Sequence, residues 1–195
     1  FYYFQFYNFY ANLKLINCKI ENSKNSYGGA IYQWGGSISC INSVFTNNGG
    51  LHGGGIFAQV SNVYILNSSF NDNYAGFHGG AVYVDTGSLT CNNCNFTNNN
   101  VNGNNSSGGA ITVIGDCSLN NCNLLNNHIS GIFSTGGAVD VSRYLICTNT
   151  FFNGNNALGN QSYGGAVNLH NGTLILINSS LSNNKAIGNH NYGGA

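Results

Sequence analysis

The stretch from Gly28 to Asn48, GGAIYQWGGSISCINSVFTNN, contains the signals that decide the fold of this 195-residue chain. Its opening Gly-Gly-Ala triplet returns every 25 to 29 residues, once as Gly-Gly-Ile. The first glycines of these triplets are Gly28, Gly54, Gly79, Gly108, Gly136, Gly164 and Gly193. A fixed period of this length is typical of a repeat architecture, in which each repeat is one structural unit.

Two columns of asparagine keep step with the glycines. The first asparagine column lies 13 or 14 residues after a triplet and consists of Asn17, Asn42, Asn67, Asn93, Asn121, Asn149 and Asn178, the first of which precedes all triplets. Three residues later comes a large apolar residue, as in Phe45. Three further on is the second asparagine column, Asn48, Asn73, Asn99, Asn127, Asn155 and Asn184, with Ser23 in the first repeat. Three landmarks in register over seven repeats indicate one repeated fold.

The residues between these landmarks alternate with a period of two. Before Asn42, Ile38 and Cys40 are apolar and the residues between them in the different repeats are mixed. This alternation predicts a strand with one buried face. A second strand is expected after each Gly-Gly, with Ile31, Phe57 and Val82 facing inward and Tyr32, Ala58 and Tyr83 outward. A short third strand contains the phenylalanine.

Stacking equivalent strands of successive repeats in parallel predicts an all-β fold, a parallel β-helix. We expect about six to seven coils of 25 to 29 residues, each with three short strands. The repeat domain is assigned to residues 17–195, as part of a longer array or fibre. Residues 1–16 are assigned to an aromatic N-terminal cap or contact segment, since eight of the first ten residues are aromatic.

The first asparagine column is interpreted as a structural ladder inside the helix. An inward amide at a bend can donate to the amide of the next coil and leave few polar groups unpaired. The phenylalanine or leucine that follows would fill the interior. The complete absence of proline agrees with a chain whose backbone is mostly paired.

The alternation of Phe-x-x-Asn with Gly-Gly-Ala-Ile/Val resembles the repeat pair of the polymorphic outer membrane proteins. The Phe-x-x-Asn motifs are Phe45–Asn48, Phe70–Asn73, Phe96–Asn99 and Phe152–Asn155. More broadly, the pattern is similar to the right-handed parallel β-helix repeats of bacterial and protist surface proteins. The resemblance covers roughly residues 17–195. It implies a right-handed helix and a passenger-type role in adhesion or surface structure, and it implies no catalytic residues.

Composition excludes several classes of function. Five Lys and Arg balance five Asp and Glu, so charged residues are 5% of the chain. Nucleic-acid binding through a basic face is therefore excluded, and no apolar run is long enough to predict a transmembrane segment. Polarity from amides and hydroxyls rather than charges favours a secreted or cell-surface protein. The chain contains no methionine and ends at Ala195 after a seventh Gly-Gly, so we expect it to be a processed form or a piece of a longer protein.

Seven cysteines leave two interpretations open. Most are expected to be small buried hydrophobic residues, because they alternate with leucine, isoleucine and serine in their columns. A disulfide between Cys94 and Cys122 is the alternative, since equivalent positions in adjacent coils lie about 4.8 Å apart. Cys91 and Cys94 are spaced like a metal-binding pair, but no second pair accompanies them, and His52 and His78 are interpreted as loop residues that stack or are solvated. No metal site, cofactor or catalytic group is predicted.

The outer face of the first strand is the expected place for recognition, because it forms the cleft in β-helix enzymes such as pectate lyases. Tyr32, Trp34 and Tyr83 are predicted to form an exposed aromatic face that stacks on sugar or packs on a partner. Asp85 and Asp140 are the only acidic residues there, and their different columns in different coils do not suit a catalytic carboxylate pair.

Asn-x-Ser/Thr sequons are candidate glycosylation sites if the protein is secreted by a eukaryote. Asn67 and Asn178 also begin sequons but are set aside because the first asparagine column is expected to point inward. The four candidates lie in loops or between strands and are Asn104, Asn105, Asn160 and Asn171.

Three functions remain, in order of preference. The first is an extracellular structural protein, a stalk or fibre subunit that associates end to end or with other surface proteins. The second is an adhesin or glycan-binding module that uses the aromatic face. A polysaccharide-degrading enzyme is the third and weakest, and the chain is expected not to be an enzyme.

Overall fold

The computed structural model describes residues 5–193 of the chain. Residues 1–4, which belong to the predicted aromatic segment, and residues 194–195, at the expected continuation of the array, lie outside the described residues. The described residues form strands and turns and contain no helix. All strand pairs are parallel, and about seven coils stack into a β-solenoid. The predicted all-β parallel β-helix is therefore confirmed.

The strands follow one another in the same order in each coil. In the first half of the chain they are β1 Phe6–Phe9, β2 Asn12–Ile16, β3 Lys19–Glu21, β4 Ile31–Trp34, β5 Ser37–Ile41, β6 Val44–Thr46, β7 Gly49–His52, β8 Ile56–Gln59, β9 Asn62–Leu66, β10 Ser69–Asn71, β11 Tyr74–His78 and β12 Val82–Asn92. In the second half they are β13 Asn95–Thr97, β14 Asn100–Val101, β15 Ile111–Asn120, β16 Asn123–Leu125, β17 His128–Ile129, β18 Val139–Val141, β19 Tyr144–Thr148, β20 Phe151–Asn153, β21 Asn156–Ala157, β22 Val167–Leu169, β23 Thr173–Ile177, β24 Ser180–Ser182 and β25 Lys185–Ala186.

These strands build three parallel sheets. The first sheet contains two segments in most coils, β1-β4-β8-β12-β15-β18-β22 on one side and β2, β5, β9, β19 and β23 on the other, and β12 and β15 span both sides. The second sheet is β3-β6-β10-β13-β16-β20-β24, and the third is β7-β11-β14-β17-β21-β25. Three sheets agree with the predicted three strands per coil. The first strand is divided where left-handed glycines such as Gly35 and Gly36 turn the chain.

Residues 6–16, which were assigned to a cap or contact segment, pair in coil register. Phe6 pairs with Ile31 and Leu13 with Ile38, so β1 and β2 occupy the same places as β4 and β5 in the next coil. The described part of the aromatic segment is thus built into the first coil.

The interior consists of columns of like residues. Phe45, Phe70 and Phe96 are fully buried and stack in register, with ring centroids 4.6 and 5.1 Å apart. Leu124 and Phe152 continue this column. Each ring covers the next, so every coil shields the core of its neighbour from water.

The second asparagine column, and not the first, forms the buried ladder. Asn73 donates from Nδ2 to Asn99 Oδ1 at 3.0 Å and to the Phe45 carbonyl at 3.0 Å, while its backbone N–H donates to the same Asn99 oxygen. The same bonds join Asn48, Asn127, Asn155 and Asn184 to their neighbours. Each buried amide is therefore satisfied by the coils above and below.

The expectation that the first asparagine column points inward is wrong. All seven side chains are exposed, and all seven residues have a left-handed backbone with φ between 47° and 55°. Asparagine tolerates this conformation better than most residues. Asn42, Asn67 and Asn93 still form a ladder, with Nδ2 to Oδ1 distances of 3.0 to 3.2 Å, on the outside of the bend.

Candidate functional site

One outward-facing column of the first sheet changes its chemistry along the helix axis. Its members pair in parallel register and are Tyr7, Tyr32, Phe57, Tyr83, Thr112, Asp140 and Asn168. This outer column is aromatic in the first four coils and polar in the last three. The change divides the face into two parts with different shapes.

In the aromatic part, three of the four rings are buried and Tyr7 is exposed. Phe57 stacks on Tyr83 with centroids 5.0 Å apart and rings 4° from parallel, and Tyr32 lies 5.2 Å from Phe57. Tyr32 and Tyr83 are only 5% and 7% exposed, so they do not form the predicted exposed face. Trp34 is 37% exposed, and its ring centroid lies 6.4 Å from that of Phe9. The aromatic cluster of Tyr32, Phe57 and Tyr83 is thus a second, external core.

The third sheet and its loops cover this cluster. His52 stacks on His78 at 5.3 Å, and both imidazoles lie within 6 Å of the Tyr83 ring. Burial lowers the pKa of His52 and of His78, and the neighbouring His52 lowers the pKa of His78 further. Burial raises the pKa of Tyr83 to about 12. Burial therefore favours the neutral form of both covering histidines.

The inward and outward assignment was wrong by one residue in a single coil. Ile31 pairs with Ile56, and Tyr32 pairs with Phe57, so Phe57 faces outward and Ala58 inward. That coil has three consecutive glycines, and Gly53 takes the left-handed conformation that Gly79 takes in the next coil. Aligning the repeats on Gly54 instead of Gly53 moves every following residue of this coil by one position, and this is why Phe57 was placed inward.

In the polar part the side chains are shorter and leave a cavity of about 320 Å³. We call this cavity the polar cleft; its walls are His78, Tyr83, Asn105, Ser106, Ser107, Thr112, Ile114, Phe133, Thr135, Asp140, Ser142 and His170. Its floor is the outer column, and one wall is the row His78, Ser107 and Thr135, which are joined coil to coil by single β-bridges. This row spans three coils, and His170 comes from a fourth.

A buried carboxylate lies on the floor of the cleft. Asp140 Oδ1 is 2.9 Å from His170 Nε2, and Asp140 Oδ2 accepts a hydrogen bond from Asn168 Nδ2 at 3.0 Å. The Asp140 side chain is 4% exposed, whereas that of His170 is 48% exposed. The hydrogen bond to the carboxylate raises the pKa of His170. The pair fixes the imidazole at the mouth of the cleft.

A second chain of hydrogen bonds fixes the opposite wall. His78 Nδ1 is 2.9 Å from Ser107 Oγ, which is 3.2 Å from Thr112 Oγ1. Thr112 Oγ1 also donates to the Ser107 carbonyl and accepts from the backbone N–H of Gly79. These bonds hold the wall and the floor of the cleft together. Sequence reasoning placed Thr112 and Asp140 on the outer face but did not bring His78 and Ser107 to them. The signal was present, since both residues immediately precede a Gly-Gly pair and so occupy equivalent places in their coils.

Asp85 belongs to a different network. Its Oδ2 accepts from Gln59 Nε2 at 2.8 Å, and Gln59 Oε1 accepts from the Tyr32 hydroxyl at 2.7 Å. Asp85 and Asp140 thus occupy separate environments, one at the aromatic cluster and one in the polar cleft. Within residues 5–193, no group of three or more His, Cys, Asp or Glu side chains is arranged to hold a metal ion.

All seven cysteines are free thiols. Cys94 and Cys122 lie at equivalent positions of adjacent coils, as predicted, but no disulfide joins them. Each thiol contacts the carbonyl two residues before it, at 3.2 and 3.3 Å, as the hydroxyls of Ser43 and Ser68 do in their coils. Cysteine therefore replaces serine in this column as a small buried donor.

The four sequon asparagines are all exposed, in agreement with their selection as candidate glycosylation sites: Asn104, Asn105, Asn160 and Asn171. The argument for setting aside Asn67 and Asn178 is wrong, because both of these side chains are exposed as well. Asn104 Oδ1 accepts from the backbone N–H of Ile132, so this side chain joins its loop to the loop of the next coil.

The described part of the chain contains no helix with the length and apolarity that a membrane crossing requires. In comparisons with known proteins, no protein-family model, no curated protein and no solved structure matches this chain.

Proposed function

We propose that this chain is a structural β-helix segment of an extracellular or cell-surface protein, as a stalk or as the repeating part of a fibre. The observation that carries the proposal is the continuity of stacking: three parallel sheets and a buried amide ladder bond each coil to the next. Such a solenoid is stabilised by contacts between neighbouring coils and forms a stiff rod.

The last complete coil offers a surface on which another coil can stack. Leu174 and Leu176 continue the inward columns of Leu145 and Cys147, yet they are 40% and 42% exposed. A further coil in register would bury both leucines and pair the free edge of β23. Either a following part of the chain or a second copy can supply this coil. The formal net charge of zero leaves little repulsion between copies that stack end to end.

The extracellular location is supported by the surface. Charged residues are rare, and the candidate sequon asparagines Asn104, Asn105 and Asn160 are exposed on loops. Other surface proteins with β-helical ends are the partners that this surface suits, besides a second copy. We propose no catalytic role, since Asp85 and Asp140 are held in separate hydrogen-bond networks.

A glycan-binding adhesin is the second candidate. The aromatic face proposed for it from the sequence is largely buried, because Tyr32 and Tyr83 pack in the aromatic cluster. The observation that favours this candidate is the polar cleft beside the cluster. A rod that presents such a cleft can serve as a stalk and as a binding surface.

Electron microscopy of protein isolated from its source tests the structural role. We expect filaments whose strands repeat at about 4.8 Å along the axis. In the recombinant protein, Leu174→Lys with Leu176→Lys places two charges on the stacking surface and should abolish assembly. Ile175→Lys is the matched control, because Ile175 is equally exposed but points away from the interior of the same strand. Isolated short rods from the native source would contradict the fibre role and leave the stalk, and assembly that survives the double substitution would contradict the stacking surface.

A further inference from the structure

The polar cleft contains hydrogen-bonding groups that the protein leaves unused. Within residues 5–193, the hydroxyls of Thr135 and Ser142 have no hydrogen-bond partner, and His170 uses only its Nε2, which donates to Asp140. These groups face a cavity of about 320 Å³, at the lower end of the usual size of ligand sites. Fixed polar groups around such a cavity can orient a ligand rich in hydroxyls.

An aromatic residue in a strained conformation forms part of the cleft. Phe133 has φ 57° and is 50% exposed, which is unfavourable for a bulky side chain both in backbone energy and in solvation. The equivalent loop positions in three other coils have the same backbone and are Asn105, Gln161 and His190. Two of these four positions, Asn105 and Phe133, border the cleft, and Phe133 is the one with a phenyl ring. Strain of this kind at one position suggests a function for that side chain.

Charge decides which class of ligand fits. None of the five Lys and Arg residues borders the cleft; His78 has a lowered pKa, and His170 is already paired with the Asp140 carboxylate. An anionic group would therefore have no free cationic partner. The buried Asp140 carboxylate adds a charge that repels anions. A fully apolar ligand would cover the hydroxyls of Thr135 and Ser142 and the free nitrogen of His170 without offering them hydrogen-bond partners, which is unfavourable. A neutral ligand with several hydroxyls and an apolar face avoids both problems: it brings no negative charge to the cleft, and it offers partners to the unpaired polar groups.

We propose that the polar cleft binds a neutral pyranose unit of a glycan, with Phe133 against the face of the sugar ring. The hydroxyls of Thr135 and Ser142 and the free nitrogen of His170 then bond to the sugar hydroxyls. Aromatic rings suit this use, since they pack against the apolar face of a flat ligand while the polar groups meet its edge. The site differs from the aromatic face expected from the sequence. The proposal rests on the glycan-binding candidate and does not depend on the structural role.

Titration of the recombinant protein with neutral methyl glycosides of glucose, galactose, mannose and N-acetylglucosamine tests the site, with NMR shifts as the readout. We expect at least one of them to bind with a Kd of about 1 mM or lower, which corresponds to about −4 kcal/mol. Methyl glucuronide, which adds a carboxylate to the same ring, should bind at least tenfold more weakly. Shifts should map to the residues around Thr112 and His170.

Phe133→Asn is the decisive variant. It installs the residue type found at the equivalent position of another coil, so we expect unchanged or higher thermal stability together with a tenfold or greater loss of glycoside affinity. Gln161→Asn changes the same loop position one coil further on, outside the cleft, and should leave affinity unchanged.

Three outcomes would overturn the proposal: no neutral glycoside binds, the glucuronide binds equally well, or Phe133→Asn binds as the unchanged protein does. Each is independent of filament formation, so failure of the binding site and failure of the structural role can be told apart.

Discussion

Asparagine fills two columns of this helix and acts differently in each. In the second column, exemplified by Asn99, the amide lies in the interior and both donates to and accepts from its neighbours. In the first column, exemplified by Asn93, the side chain is exposed and the residue is needed for its left-handed backbone, with φ 54°. The same side chain is thus used once for hydrogen bonding and once for conformation.

The two roles predict opposite responses to substitution. Asn99→Ala removes the acceptor for the backbone N–H and the side-chain amide of Asn73, so two buried donors lose their partner. At about 1–3 kcal/mol for each unsatisfied group, we expect the free energy of unfolding to fall by about 3 kcal/mol or more. Asn93→Gly keeps the left-handed turn and should change the free energy of unfolding by less than about 1 kcal/mol. Chemical denaturation measures both, and equal losses would contradict this division.

At the scale of the element, the first sheet has a core on each of its faces. Its inner face contacts the main interior, and its outer face carries the aromatic cluster under His52 and His78. These two imidazoles are half-buried, and Nδ1 of His52 is buried without a hydrogen-bond partner in the described residues. The covering of the aromatic cluster is therefore sensitive to protonation.

Stability should fall on acidification, in part because of His52. Burial lowers its pKa below the ordinary value of 6.5, so below pH 6.5 the unfolded chain binds a proton that the folded chain excludes. His52→Phe keeps a ring over Phe57 and removes the titrating group and the unpaired nitrogen. We expect a smaller loss of unfolding free energy between pH 7.5 and 5.5 than in the unchanged protein, and higher stability at pH 5.5.

Denaturation of both proteins at the two pH values checks this, with the exposed His190→Asn as control. The opposite sign applies to His170, whose pKa is raised by Asp140: its contribution is present below pH 6.5 and is lost as the pH rises through the folded pKa. His170 is unchanged in both proteins, so the comparison isolates His52. An identical pH dependence in His52→Phe would contradict the assignment.

At the scale of the whole molecule, stability is distributed over the interfaces between coils. Each coil pairs only with its two neighbours, and like residues face one another across every interface. A solenoid of this kind behaves as a one-dimensional array of units. Its length, rather than its fold, should depend on the number of repeats.

Removal of one whole coil should therefore be tolerated. Deletion of residues 79–107 joins His78 to Gly108, the positions that follow one another in each coil, and brings Phe70 over Leu124. We expect a folded protein with the same β-sheet circular dichroism, a lower unfolding temperature and an axis shorter by about 4.8 Å in small-angle scattering. Deletion of residues 79–93, about half a coil, is the control and should abolish folding, since it places residues of the second sheet in the first. A folded half-coil variant would contradict the coil as the unit of structure.

The polar cleft was only partly accessible from the sequence. The outward position of Thr112, Asp140 and Asn168 follows from the period of two in the strands. The pairing of Asp140 with His170 depends on two adjacent coils, and Phe133 enters from a loop of variable length. Phe133 lies three residues before a Gly-Gly pair, as its equivalents in the other coils do, so its place in the repeat is periodic. The residue type at this place is not periodic, and only packing decides which strand residue the side chain lies over.

The sequence by itself determined the fold class, the number of coils and, except in the coil of Phe57, the strand register, because Gly-Gly, asparagine and phenylalanine return at regular intervals and each column must stack on itself. Only the tertiary structure decided which asparagine column lies inside and that Tyr32 and Tyr83 are covered. Both columns have the same residue type and spacing, and the direction of each side chain depends on the left-handed bend at Asn42 and its equivalents. The covering of the aromatic cluster depends on where the loops fold back, and this is settled by packing between segments distant in the chain.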